Sequence, residues 1–310
     1  MKALAATGDR TLVRFADAPE PAPAADAAVI QVEAFSVNRG EILAMTGAYG
    51  TPTAPGTVMG QDVVGRVVAA AADGSGPAVG TRVVGHADGG GWAERVPVPT
   101  SALVELPDAV PATTAAALPL AGLTALRLLR HVEAPADKKA LITGASGGVG
   151  HYLVELATAA GIAVTAVAAA PERGARLAEL GAAKVVHGVA HADGPFDVIF
   201  ESVGGDVFAD ALARIAPGGT VLWFGQASLQ PIRLSFFDYL TVTPFTLKHF
   251  PHWVADTTDA EDLRVLVELT ATGRLHPELG RVADWAETAH VLADLNNRRI
   301  RGNAVLTITA

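Results

Sequence analysis

The sequence predicts an α/β fold in which a doubly wound parallel sheet is inserted into a β-rich domain. Three observations predict it. Residues 1 to about 110 hold short, Val-heavy runs punctuated by Gly and Pro. From Lys139 onward, short apolar runs alternate with helix-period segments, the succession that builds a parallel sheet. Strand-like character then returns in the last residues, so the chain end is expected to rejoin the first domain. The expected domains are residues 1–115 with 251–310, and residues 116–250.

In the β-rich part, residues 28–34, 63–69 and 81–84 read as strands. The Pro/Ala stretch at 18–25 reads as a surface connection rather than a disordered linker. The character changes near Pro111. Residues 113–130 are helical in pattern, broken at Leu118-Pro119 and Ala121-Gly122. Residues 140–143 form a short apolar strand, and a Gly-rich turn leads into a helix at 149–160 that Gly161 stops. The alternation continues with a strand at 163–167, a helix at 172–180, and strands at 184–186 and 196–200. A helix at 207–215 follows, and Pro217-Gly218-Gly219 turns into a strand at 220–225. Helices at 260–272 and 286–295 and a strand at 303–308 complete the chain.

Composition narrows the function. Hydrophobic residues make up 50% of the 310 residues and charged residues 18%, so there is ample material for buried cores. A formal net charge of -9 argues against nonspecific binding to nucleic acid or an anionic membrane. It leaves room for a local basic pocket that takes a phosphorylated cofactor. With no cysteine there is no disulfide, no thiolate ligand and no thiol nucleophile. The segment MKALAATGDR lacks the apolar core of a signal peptide, and no apolar run is long enough to span a membrane. The expectation is a soluble, cytoplasmic protein.

The strongest local signal runs from Leu141 to Gly150, with Thr143-Gly144-Ala145-Ser146-Gly147-Gly148-Val149-Gly150 between a strand and a helix. That is the setting of a dinucleotide site: glycines let the backbone approach a pyrophosphate, and the helix N-terminus offers N–H groups and a positive dipole end. Ala145 stands at the first glycine position of the G-x-G-x-x-G pattern, and Gly147 and Gly150 meet the other two. A purely structural turn is the alternative. The next strand end, Val167-Ala168-Ala169-Ala170, has no carboxylate for a ribose 2′-hydroxyl, and Arg173 stands just beyond it. Nothing there repels a 2′-phosphate, and a guanidinium pairs well with one, so the residues favour NADPH. Against this, Glu172 lies next to Arg173, and a solvated helix residue is the alternative reading of Arg173.

Other chemistries fit less well. Pro251 between His249 and His252 argues against a helical metal pair, and no second ligand cluster lies near. Gly-Ala-Ser-Gly-Gly around Ser146 is not the Gly-x-Ser-x-Gly elbow of a hydrolase, so Ser146 is assigned to the turn or to a phosphate contact. His151, just after Gly150, is expected at a surface helix position, with an approach to the cofactor as the alternative.

With these residues in view, the chain resembles the zinc-free, zeta-crystallin-like quinone oxidoreductases of the medium-chain dehydrogenase/reductase superfamily. The resemblance is collinear. It includes Asn38-Arg39-Gly40-Glu41, Met59-Gly60-Gln61-Asp62, Gly80-Thr81-Arg82-Val83 and Gly122-Leu123-Thr124-Ala125. It continues through the Gly-rich loop, Leu180-Gly181-Ala182, Val203-Gly204-Gly205, Pro217-Gly218-Gly219 and Arg301-Gly302-Asn303. It implies a Rossmann domain inserted into a GroES-like catalytic domain, an active cleft between the two, and a homodimer joined through the nucleotide domain. It also implies hydride transfer from NADPH to a quinone or an α,β-unsaturated carbonyl. Carried over by position, Asn38 and Thr124 would lie by the cofactor, with Asn38 near its nicotinamide. Gly147, Gly148 and Val149 would meet the pyrophosphate. Arg173 falls where relatives often carry Lys for the 2′-phosphate. Val203, Phe224 and Gly225 would line the nicotinamide side, and Asn303 falls where relatives often have Lys.

The departures from the family are informative. Zinc-dependent relatives carry an early Cys and a Gly-His-Glu run, whereas this chain has no Cys and reads Gly60-Gln61-Asp62, so catalytic zinc is not expected. Leu43 stands where some quinone oxidoreductases have Tyr, leaving Tyr49 as the candidate to touch substrate; a half-buried packing role is its alternative. Residues 229–253, with Phe236, Phe237 and Tyr239, match poorly and leave the substrate open. Hydride transfer needs geometry and water exclusion, and then a hydrogen-bond donor for the developing oxyanion. Asn38, Tyr49, a cofactor hydroxyl or solvent are the candidate donors. Two other functions share the same residues: a natural-product tailoring enzyme performing enoyl reduction, cyclisation or elimination, and a non-catalytic NADPH-binding protein.

Overall fold

A computed structural model describes residues 1–239 and 244–309. In chain order, the first strands are β1 (Lys2–Ala6), β2 (Val13–Asp17) and β3 (Ala27–Val37), followed by helix α1 (Arg39–Met45). Next come β4 (Asp62–Ala69), β5 (Arg82–His86), β6 (Arg95–Pro99), β7 (Leu103–Glu105), α2 (Ala112–Ala116) and α3 (Pro119–Arg130). Strands and helices then alternate: β8 (Lys139–Ile142), α4 (Gly148–Ala159), β9 (Ala163–Val167), α5 (Ala175–Glu179) and β10 (Lys184–Val186). These lead to β11 (Phe196–Glu201), α6 (Gly205–Leu212), β12 (Ile215–Trp223) and β13 (Thr246–His249). The chain ends with α7 (Asp259–Ala271), β14 (Leu279–Asp284), α8 (Thr288–Asn296) and β15 (Asn303–Thr307).

Two units emerge, residues 1–123 with 256–310, and residues 124–255. The sequence places the breaks a few residues earlier, at 115/116 and 250/251. The first break moves because the opening turn of α3 is tied to the first unit. There the Leu120 N–H donates to Asp62 Oδ1 at 2.9 Å. A Cβ on Gly122 would lie 2.8 Å from Leu266 Cδ1 on α7, so that turn sits close against this helix.

The first unit is organised by β3. This strand pairs antiparallel with β15, β4 and β6, and it is apolar and buried along most of its length. A seven-stranded sheet results, ordered β14-β15-β3-β4-β5-β7 with β6 on β3, beside a β1–β2 hairpin. Phe35 of β3 stacks on Trp92 at 5.9 Å, and the Trp92 indole N–H donates to the Ser36 carbonyl at 3.0 Å. The pairing of β3 with β4 shifts register near Val32, and β4 closes tightly there. A Cβ on Gly65 would lie 1.9 Å from the Gln31 carbonyl oxygen.

The second unit is a parallel sheet of order β10-β9-β8-β11-β12-β13. Winding outward one way from β8 through β9 to β10, and the other way from β11 to β13, it is a doubly wound sheet whose order reverses between β8 and β11. Leu141, Ile199 and Val221 from its central strands join Phe196 and Phe208 in one core.

Two helices and one residue depart from expectation. The helix expected at 172–180 is split: a single 3-10 turn, Pro171–Arg173, precedes α5. A Cβ on Gly174 would lie 2.8 Å from Val185 Cγ1, so the chain passes close over β10 instead of continuing one helix. The helix expected to reach 215 ends at Leu212, because the β-branched Ile215 pairs with Phe196 and starts β12 ahead of the Gly-Gly turn. His151, expected at the surface, is fully buried. Residues 150 to 154 of α4 are all buried, so the helix is enclosed around its circumference and has no solvent face there. The His151 ring lies 4.0 Å from that of Tyr152, and its Nδ1 lies 3.1 Å from the Gly147 carbonyl oxygen. A carbonyl only accepts, so Nδ1 carries the proton. Burial pushes the imidazole down to about 4.

Two outcomes follow from this packing. Gly65→Ala is expected to lower the unfolding free energy by about 3 kcal/mol, since two paired backbones must separate; urea unfolding measures it, and wild-type stability would contradict the close approach. For His151, the folded value lies below the unfolded one. Its contribution is therefore complete above about pH 6.5 and is lost as pH falls toward about 4, where the unfolded chain takes up the proton first. His151→Gln should remove about 3 kcal/mol of the stability difference between pH 7 and pH 4; an unchanged pH dependence would contradict it.

Candidate functional site

In the second unit the candidate residues gather at the carboxyl ends of the parallel strands, on both sides of the order reversal. Strand β8 runs through Thr143 into the Gly-rich turn, which the Ala145 N–H pins to the Val167 carbonyl at 3.2 Å. The glycine spacing has a geometric reason. A Cβ on Gly150 would lie 2.4 Å from the Gly144 carbonyl oxygen and 2.6 Å from that of Ala145, so only glycine lets α4 seat against the turn. Ala145, at the first glycine position, points inward and is fully buried, so its methyl group does not obstruct the approach to the loop. Gly147 caps α4 and brings no side-chain acceptor to the first-turn N–H groups. Gly147, Gly148 and Val149 are half-buried at this helix start.

Arg173 ends the 3-10 turn after β9, and its Nε donates to Ser146 Oγ at 3.1 Å. The guanidinium is thereby held against the Gly-rich loop, across a strand end that has no carboxylate. Ser146 is buried, while Glu172 is exposed. This pairing sets aside the solvated-helix reading of Arg173.

On the other side of the reversal, β11 ends in Glu201, a residue that the sequence reading passed over. Its carboxylate is fully buried and accepts from the Thr143 hydroxyl at 3.1 Å, the Val203 N–H at 2.8 Å and the Gly204 N–H at 3.1 Å. Burial raises this carboxyl, and those bonds pull it back. The Phe224 N–H donates to the Glu201 carbonyl at 2.9 Å, and the Trp223 indole donates to the Gly225 carbonyl at 2.7 Å. Val203, Phe224 and Gly225 are thus neighbours at adjoining strand ends. Thr124 is buried within α3. Of the poorly matching stretch at 229–253, Phe236 and Phe237 are strongly exposed, and residues 240–243 lie outside the described residues.

Asn38, Tyr49 and Asn303 lie in the first unit. Asn38 caps α1 at the end of β3, and antiparallel pairing of Val37 with Ala304 puts buried Asn303 at the same end of the sheet. The Asn38 amide donates to Asp62 Oδ2 at 2.7 Å and to Ser36 Oγ at 3.0 Å, and Ser36 Oγ donates in turn to Asp62. Turning the amide over would set its oxygen against the carboxylate, acceptor against acceptor. Seen from the amide nitrogen, Asp62 Oδ2 and Ser36 Oγ lie in nearly the same direction, so one N–H is shared between them.

Glu41, buried beside this group, accepts from the Asn38 N–H at 2.7 Å and the Gln61 N–H at 3.2 Å. Burial and then the Asp62 charge raise its carboxyl well above the usual range. Tyr49 is 69% exposed. Its hydroxyl folds back over the start of α1, 3.5 Å from where a Cβ on Gly40 would stand.

Residues 24–108 match the alcohol dehydrogenase GroES-like domain, and residues 148–270 match the zinc-binding dehydrogenase family. The chain is 29% identical to a quinone oxidoreductase of Pseudomonas aeruginosa, over 97% of each protein. It is 24% identical to an acryloyl-coenzyme A reductase of Sulfurisphaera tokodaii, over 89% of this chain and 91% of that one. A mycobacterial protein solved in complex with NADPH superposes with a TM-score of 0.89 at 26% identity, covering 99% of each chain. With its GroES-like and Rossmann-type domains, the chain belongs to the medium-chain dehydrogenase/reductase superfamily of oxidoreductases and is of the quinone oxidoreductase type.

Proposed function

We propose that this oxidoreductase is zinc-independent and uses NADPH to reduce a quinone or an α,β-unsaturated carbonyl. One observation carries the cofactor choice: the bond between Arg173 and Ser146 across a strand end without a carboxylate. A 2′-phosphate would find a guanidinium and a hydroxyl there and no opposing charge from the strand. The first-turn N–H groups of α4 suit a pyrophosphate, and Gly150 removes the side chain that would hold the loop away. The mycobacterial relative solved with NADPH supports the same choice.

When bound, NADPH supplies the hydride. This chain's residues orient and enclose it. Ser146 and Arg173 hold the 2′-phosphate, and Gly147, Gly148 and Val149 face the pyrophosphate. Thr124, Val203, Phe224 and Gly225 border the rest of the cofactor. The family resemblance assigns Asn38 and Asn303 to the cofactor as well. Asn38 and Tyr49 are the candidate side chains to donate to the acceptor's developing oxyanion. The quinone and acryloyl-coenzyme A reductases among the relatives support an electron-poor alkene or quinone as acceptor. Zinc independence rests on the absence of cysteine and on Gly60-Gln61-Asp62 standing where zinc-dependent relatives carry a Gly-His-Glu run.

We also place the protein in the cytoplasm as a homodimer. No described helix is long and apolar enough to cross a membrane. Strand β13 is the sheet's outer edge and all four of its residues are exposed, an edge that a second copy would cover.

Titration of the protein with NADPH and NADH, followed by tryptophan fluorescence, tests the cofactor. NADPH should bind more tightly, and Arg173→Ala should weaken it roughly 10- to 100-fold while leaving NADH unchanged. Equal affinities in the wild type, or an unaffected variant, would overturn the assignment. Light scattering should give twice the chain mass, and Leu247→Lys on β13 should shift it to one chain; a monomeric wild type would remove the dimer.

A further inference from the structure

Glu201 stands at the order reversal of the parallel sheet with no role in the chemistry proposed above. It is the last residue of β11 and is fully buried. A buried carboxylate is costly unless donors surround it. Here the donors come from two neighbouring strand ends: the Thr143 hydroxyl after β8, and the N–H groups of Val203 and Gly204 after β11. Thr143 Oγ1 also accepts from the Ser202 N–H at 3.0 Å, and Ser202 Oγ donates back to the Thr143 carbonyl at 3.2 Å. The loop is tied onward, with the Ser228 N–H donating to the Val203 carbonyl at 2.8 Å and the Ala227 N–H to that of Ser202 at 2.8 Å. The ends of β8 and β11 and the loop after β12 therefore share one network centred on a single side chain.

The network has a chemical consequence. The N–H groups of Val203 and Gly204 point at Glu201, so this loop has none to offer a phosphate at those positions. What it presents is the apolar, half-buried Val203 side chain, a surface suited to an aromatic ring and not to an anion. We propose that Glu201 is a positioning residue: acting through Val203 and its loop, it fixes the rest for the nicotinamide and leaves anion binding to the start of α4. This rests on reading the reversal as an NADPH site.

The test compares NADPH with adenosine 2′,5′-bisphosphate, which has the adenine end and no nicotinamide, on the full-length protein. Gln at 201 keeps the length but offers one acceptor oxygen and turns an NH2 toward backbone donors. Glu201→Gln is expected to weaken NADPH about tenfold and to lower kcat, with adenosine 2′,5′-bisphosphate affinity and KM for 1,4-benzoquinone unchanged. Glu201→Asp should recover part of the loss. If Glu201→Gln does not fold, Thr143→Val removes one donor and should give a smaller split in the same direction. Equal weakening of both ligands, or wild-type affinity and kcat, would overturn the proposal. If the wild type binds neither ligand, the NADPH reading fails and the proposal falls with it.

Discussion

The second unit depends on the reversal of strand order between β8 and β11. Two parallel strands that wind away from each other leave a crevice at their carboxyl ends, and whatever lines it must satisfy its own backbone polar groups. This chain meets that demand differently on the two sides. On the β8 side, the Gly-rich turn runs directly into α4 with a glycine cap, so the helix start is left to an anion. On the β11 side, the buried Glu201 carboxylate takes up the loop N–H groups, and the surface that remains is apolar. One edge of a sheet therefore presents a polar, cation-flanked half next to an apolar half, the division that a phosphorylated dinucleotide with a flat reactive ring requires.

The first unit obeys a related constraint. Strand β3 is so thoroughly buried that its end, where α1 begins, must satisfy several polar groups at once. Ser36, Asn38, Glu41 and Asp62 do this among themselves and with backbone N–H groups. The arrangement fixes which face of the Asn38 amide is free.

Features set by local pattern were legible in the sequence. The Gly-rich loop was readable because glycine spacing, a preceding apolar strand and a following helix lie within a dozen residues, and the structure gives Gly150 its steric reason. The sequence places Arg173 just past the second strand, and there it bonds Ser146 of the Gly-rich loop. Features set by distant neighbours were not. Glu201 reads as an ordinary strand-end residue, since its hydroxyl partner Thr143 is 58 positions away. His151 was misplaced because a polar residue on a helix reads as solvated, whereas α4 is enclosed all round. The helix expected over 172–180 broke at Gly174 because β10 lies beneath it, a contact that no local propensity reports. The Asn38 orientation follows from Asp62, which lies on another strand.

The claim that joins these parts is that hydride passes from NADPH to an electron-poor acceptor on this protein. Its most direct test is steady-state turnover with NADPH dideuterated at the nicotinamide C4, against a panel of quinones and enones. The account predicts NADPH consumption stoichiometric with acceptor reduction, slowed by deuterium. With an enone, the label should appear in the product at the β-carbon. No consumption across the panel, or reduced product without label, would contradict it.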